Sequence, residues 1–221
     1  MKTYAIGDIH GCAFQFQKIL DHIARVEGED PHQIITLGDY IDRGPASRQV
    51  LDILMQRPDI IPLMGNHEQM LLDAATGDFD LESHFRSNGG VQTLQSFDVE
   101  RAIDIPSPYL DFVRNLRKWH EDEHRVFVHA GIYPFVDGME NQPPNVLLWV
   151  RDPFLNHAAP FFKYVVHGHT PRQGRPDIRD NRVNLDAGCC FTGMLACGIF
   201  DETQAKPLNV LLAGPEQPPG A

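Results

Sequence analysis

Nowhere does this sequence approach the ~20 consecutive apolar residues that a helical membrane span requires, which argues against a membrane-embedded protein. The opening residues, MKTYAIGD, carry no apolar leader and run straight into a strand-like stretch. Paired metal-binding or redox cysteines are missing too. The four cysteines stand at 12, 189, 190 and 197, and none forms a C-x-x-C pair. Four reduced thiols in a cytoplasmic protein are therefore expected. Positive charge is scarce. Nineteen Lys and Arg face 30 Asp and Glu, a net charge of −11, which argues against a nucleic-acid partner. Histidine, by contrast, is plentiful. There are eleven, and several sit inside glycine-rich turns.

The first third alternates regularly. Strand-like runs at Thr3–Ile6, Gln33–Leu37 and Ile60–Met64 alternate with helical spacings at Phe14–Val26, Ala46–Met55 and His67–Ala75. This βαβαβ order predicts an α/β fold with parallel strands and helices on the faces. From residue 77 to about 123 the pattern turns helical, with helices expected at Asn88–Phe97 and Pro108–His120. Strands resume at Arg125–His129, Lys163–His167, Arg182–Asp186 and Met194–Asp201. The length suits one domain over residues 1–210, with 211–221 expected to fray.

Five short motifs each follow a predicted strand: GDIHG (7–11), GDYIDRG (38–44), GNHE (65–68), HAG (129–131) and HGHT (167–170). Singly, each reads as a turn. Together they fall at the carboxyl ends of strands, where an α/β sheet builds its ligand crevice. Asp8, His10, Asp39, Asn66, His129 and His169 would then converge, although up to 161 positions apart. Carboxylate, imidazole and amide oxygen suit Mn²⁺, Fe or Zn²⁺ better than a thiolate-bound metal. Six donors exceed the needs of one ion, so two divalent cations are expected. They would locally remove roughly four units of negative charge.

The ordered set of motifs resembles the phosphoprotein phosphatase family of calcineurin-like binuclear metallophosphoesterases, over about residues 4–170. The resemblance implies a central β-sandwich flanked by helices and two divalent ions, with Mn²⁺ expected first. It implies that Asp8 and His10 hold one ion, that Asp39 bridges, and that Asn66, His129 and His169 complete the other. It makes His67 a general acid oriented by Asp42, with Arg43 and Arg151 gripping the phosphoryl group. Gly168-His169 is followed by Thr170-Pro171, so the later imidazole of the broader G-H-x-H pattern is missing, as in the phosphoprotein phosphatase branch. His167 is expected to play a supporting part, and Glu68 to anchor its loop by hydrogen bonds. The implied activity is phosphate-monoester hydrolysis, foremost on phosphoserine or phosphothreonine in proteins or peptides and also on phosphotyrosine or small phosphate esters. The alternative is hydrolysis of diadenosine polyphosphates. In that branch, symmetrically cleaving members resemble this chain but carry alanine at the position of Asp42 and GNHD where this chain has Glu68.

Overall fold

The computed structural model of the protein describes residues 1–215. The chain begins with β1 (Lys2–Ile6), α1 (Ala13–Glu27), β2 (His32–Thr36), α2 (Ser47–Gln56), β3 (Ile60–Pro62) and α3 (Asn66–Ala74). Three further helices follow, α4 (Phe79–Phe85), α5 (Val91–Phe97) and α6 (Ser107–Arg114), with a wide helical turn at Arg86–Gly90 joining α4 to α5. The second half holds β4 (Trp119–Glu121), β5 (Arg125–Val128), α7 (Pro144–Trp149), β6 (Tyr164–His167), β7 (Asp177–Ile178), β8 (Arg182–Asn184), α8 (Cys189–Thr192), β9 (Leu195–Phe200) and β10 (Asn209–Ala213).

The strands form two five-stranded sheets, ordered β10-β9-β1-β2-β3 and β4-β5-β6-β8-β7. The expected parallel pairing holds for β1, β2 and β3 and again for β5, β6 and β8. Antiparallel strands flank both sets, so the sheets are mixed rather than one parallel sheet.

Period-two alternation explains the layering. Along β1, Tyr4 and Ile6 pack on the helices with Phe16, Ile19 and Ile34. Ala5 points the other way, into a layer shared with Phe127, Val166, Val183 and Phe200. Along β5, Phe127 faces that shared layer while Val126 and Val128 face Leu147 and Phe154. Central strands are therefore covered on both faces, as near-continuous apolar runs require. A large side chain such as Phe16, fully buried, contributes about 1.5–3 kcal/mol.

Three sequence expectations are corrected. The second helix of the insert stops at Arg114, and His120 lies in β4, paired antiparallel with β5. Tryptophan and histidine there cover the sheet edge, and β pairing overrode the helical spacing. The helix Phe79–Phe85 was unforeseen; Asp78 caps it, its carboxylate accepting from the amides of Asp80 and Leu81. Residues 211–213, expected to fray, belong to β10. The remainder of that expectation, 216–221, lies outside the described residues.

Candidate metal centre

Each motif loop leaves a strand and turns sharply. His10, Asp39, Asp42, Arg43 and His169 all adopt positive φ, between 45° and 71°. Asp98 is the sole other non-glycine residue to do so among the described residues. Such left-handed conformations cost about 1–3 kcal/mol each, so the surrounding contacts must impose them. The amides of Ile9 and His10 both donate to the Asp39 carbonyl, at 3.0 and 2.8 Å. The Glu68 carboxylate accepts from the amides of Asp39, Tyr40 and Gly65 at 2.8–2.9 Å, so it does anchor its loop. Two glycines lie directly against donor carboxylates. A Cβ on Gly168 would overlap the Asp8 carboxylate, and one on Gly65 would overlap that of Asp39.

Asp39 occupies the middle. Its Oδ2 lies 3.5 Å from His10 Nε2, and its Oδ1 lies 3.4 Å from His129 Nε2. Two clusters of donor atoms share it: His10, Asp39 and His67 on one side, and Asp39, His129 and His169 on the other. Asn66 Oδ1 approaches both His129 Nε2 and His169 Nδ1 at 2.8 Å. Asp8 stands close by, its carboxylate accepting from the His169 amide at 3.0 and 3.2 Å. All six sequence-predicted donors therefore meet at one place and are buried.

The donor set fits divalent cations. The Nδ1 atoms of His10 and His129 donate to the Ile41 and Leu37 carbonyls, at 2.7 and 2.9 Å. Each ring's Nε2 lone pair is left facing the centre, an arrangement typical of metal-bound imidazole. Burial pushes the His10 and His169 imidazoles down to about 3 and lowers His129 as well, so all three rings are neutral. The His129 lone pair then faces the Asn66 carbonyl oxygen, a pairing of two acceptors that a cation relieves. His169 Nε2 is buried and has no partner within the protein.

Beside these donors, His67 Nδ1 donates to Asp42 Oδ2 at 2.6 Å. Burial would lower His67, but Asp39 and Asp42 outweigh burial and raise it above an ordinary imidazole. Asp42 is in turn held by Thr93 of α5, whose hydroxyl donates to Oδ1 at 2.6 Å. The Asp42 amide donates to Thr93 Oγ1 at 2.8 Å and to Ser47 Oγ at 3.1 Å. The Arg43 amide donates to the Gly89 carbonyl at 3.0 Å. The helical insert thus supports the Asp42–Arg43 loop. Arg43 Nη1 lies 2.7 Å from His10 Nε2. Arg43 and Arg151 line the same cleft, of about 340 Å³, with Asn66, His67, Trp149 and Phe191. His167, by contrast, faces the interior against Phe154 and Arg182.

Sequence reasoning missed Asp186, which is buried beside Asp8: burial first, and then the Asp186 charge, push the Asp8 carboxyl up. Burial pushes the Asp186 carboxyl up to about 7. Like the five motifs, Asp186 precedes a glycine-containing turn at a strand end, and that position was its signal. All four cysteines are free, and none belongs to the two donor clusters.

Comparison with known proteins agrees with this geometry. Residues 1–184 match the calcineurin-like phosphoesterase family. The asymmetrical bis(5'-nucleosyl)-tetraphosphatase PrpE of Anoxybacillus flavithermus is 27% identical over 90% of each chain. The symmetrical bis(5'-nucleosyl)-tetraphosphatase of Nitrosomonas europaea is 36% identical, over 61% of this chain and 46% of that one. The chain thus spans about half the length of the symmetrical relatives it matches. A solved structure provisionally named a diadenosine tetraphosphatase superposes with a TM-score of 0.70 at 19% identity, covering 98% of this chain and 95% of that one. A serine/threonine phosphatase from Saccharomyces cerevisiae superposes at 0.62 with 13% identity, covering 100% and 82%. This chain belongs to the calcineurin-like phosphoesterase family of metal-dependent hydrolases.

Proposed function

We propose that the protein hydrolyses a phosphoric anhydride bond in dinucleoside polyphosphates, with unequal products. The observation that carries this reading is the aromatic rim of the cleft. Phe191 is 70% exposed and Trp149 43% exposed, and both line the cavity that holds the donor cluster. Exposed aromatic faces beside a phosphate site suit nucleobases, which stack with about 1–3 kcal/mol each. The end-to-end likeness to asymmetrical tetraphosphatases supports it. So do Asp42 and Glu68, which depart from the pattern of the symmetrical branch.

Asp8, His10, Asp39, Asn66, His129 and His169 would hold two divalent cations, with Mn²⁺ the first to test, then Fe²⁺ and Zn²⁺. Such ions acidify water and neutralise phosphoryl charge when bound. Arg43 and Arg151 grip the phosphoryl oxygens as planar forks and present phosphorus for in-line attack. As water gives up a proton to solvent, its oxygen bonds to phosphorus and the bridging P–O bond breaks, and His67 delivers the proton from Nε2 to the departing oxygen. Asp42 holds Nδ1–H throughout and stabilises the ring's charge. The cysteines take no part, in keeping with reduced thiols in the cytoplasm. No helix among the described residues is long and apolar enough to cross a membrane.

A second reading is dephosphorylation of phosphoserine or phosphothreonine in proteins. The exposed rim at Arg151 and Pro171 leaves room for an extended peptide. The test is a panel of diadenosine tetraphosphate, phosphopeptides and para-nitrophenyl phosphate, each with Mn²⁺. Preference for the dinucleotide, yielding ATP and AMP, is the expected result. Preference for phosphopeptides would replace the first reading with the second.

A further inference from the structure

A second cavity, of about 630 Å³, lies beside the metal centre. Its walls include Thr170, Arg172, Arg179 and Arg182, and it continues into a shallower hollow of about 450 Å³ bounded by Arg172, Arg175 and Arg179. Three guanidiniums share one carboxylate. Asp177 lies 3.0 Å from Arg172 Nη2, 2.7 Å from Arg179 Nε and 3.8 Å from Arg182 Nη1. The other acids of the wall are engaged elsewhere. Asp180 is paired with Lys206 at 2.7 Å, and Asp152 accepts from Asn156. In a chain of net charge −11, this is a concentrated positive patch.

Its polar atoms are under-used. Thr170 Oγ1, Arg172 Nε and Arg182 Nε are buried without a hydrogen-bond partner in the protein. Among the described residues only five buried side-chain atoms share that condition, and one of the other two is His169 Nε2 in the metal centre. Unmet donors beside crowded guanidiniums are what an anion with several oxygens satisfies.

The two cavities flank the same chain segments. Arg151, His169 and Pro171 line the catalytic cleft, while the residues that follow them, Asp152, Thr170 and Arg172, line the arginine cavity.

From this we infer that the arginine cavity is a subsite for the phosphate chain beyond the scissile bond, with Arg172 and Arg179 as its ligand-binding groups. The inference rests on the polyphosphate reading above. Arg182 serves mainly to hold the wall. It is 3% exposed, donates to the Leu155 carbonyl at 2.9 Å and lies over the Phe154 ring. Arg172 and Arg179 keep 37% and 59% of their side chains exposed, so their removal spares the core.

The test compares the Mn²⁺-loaded protein with Arg179→Ala and with the Arg172→Ala, Arg179→Ala double variant. Steady-state kinetics are read on diadenosine tetraphosphate and on para-nitrophenyl phosphate, which is too short to reach the cavity. Binding of inorganic tripolyphosphate is read by calorimetry. The expected result is a rise of about tenfold or more in KM for the dinucleotide, as loss of charge-assisted hydrogen bonds implies. The rise for para-nitrophenyl phosphate should be far smaller, and tripolyphosphate affinity should fall in parallel. KM values that move together, or not at all, overturn the subsite. Should the double variant fail to fold, Arg179→Gln, at an exposed position, gives the same readout. If the wild-type protein leaves diadenosine tetraphosphate intact, the substrate reading fails by itself. Tripolyphosphate then still decides the cavity: weaker binding by the variants upholds it, and equal binding overturns it.

Discussion

The metal centre and the arginine cavity are neighbours built on opposite principles. The centre is buried and made of carboxylates, neutral imidazoles and an amide, with five residues of its motif loops at positive φ. The cavity is open and made of guanidiniums around one shared acid. Cation ligands must be fixed to within fractions of an ångström, so the fold spends strain to place them. A phosphate chain is flexible and many-oxygened, so long arginines on a relaxed loop can meet it. Rigid placement therefore belongs to the chemistry, and adaptable charge to the holding of substrate.

The contrast can be tested first on its rigid side. Asp39→Ala removes the residue shared by both donor clusters. Metal analysis should show loss of bound cation, and hydrolysis of every substrate should fall by more than about 10³-fold, since several kcal/mol of charge stabilisation vanish. Retained metal would take Asp39 out of the centre. His67→Asn should keep the metal content yet lower kcat by about 10²–10⁴-fold, measured on diadenosine tetraphosphate and on para-nitrophenyl phosphate. Unchanged turnover would remove His67 from the reaction.

Smaller effects sharpen the comparison. His67 is raised above an ordinary imidazole, so its acid form persists to higher pH than that of an ordinary imidazole and is lost as pH rises through the raised value. Activity should fall on the alkaline side, and His67→Asn should abolish that limb. Thr93→Ala removes the hydroxyl that donates to Asp42, so the carboxylate is held less firmly in line with the imidazole. The expected result is kcat reduced about tenfold with the alkaline limb retained; a pH–rate profile checks both. At the adaptable rim, Phe191→Ala should raise KM for the dinucleotide about fivefold with little change in kcat, as loss of one stacking face implies. An equal change for para-nitrophenyl phosphate would deny Phe191 a base-stacking role.

The six donors were legible because each stands in a short glycine-bounded motif directly after a strand, and parallel strands bring their carboxyl ends to one edge. The βαβαβ start was legible from apolar spacing alone. Thr93 was not, for it is an ordinary threonine 51 residues from the aspartate it holds. Its neighbourhood depends on how α5 packs beside the loop. His120 misled because three strand residues are too few to outvote a helical spacing, and its pairing with Phe127 in β5 depends on a neighbouring strand. Arg172 and Arg179 stand in no motif, and only the fold sets Asp177 between them.

Taken by itself, the amino-acid order determined the donor types, their strand-end positions and hence the cation chemistry, because these follow from local pattern and residue identity. Only the tertiary structure decided how parallel and antiparallel strands mix within the two sheets, that the helical insert steadies the acid and its carboxylate, and that an arginine-lined hollow flanks the same segments as the cleft. Those features arise from side chains distant in sequence and close in space, and no local pattern encodes which distant neighbours will meet.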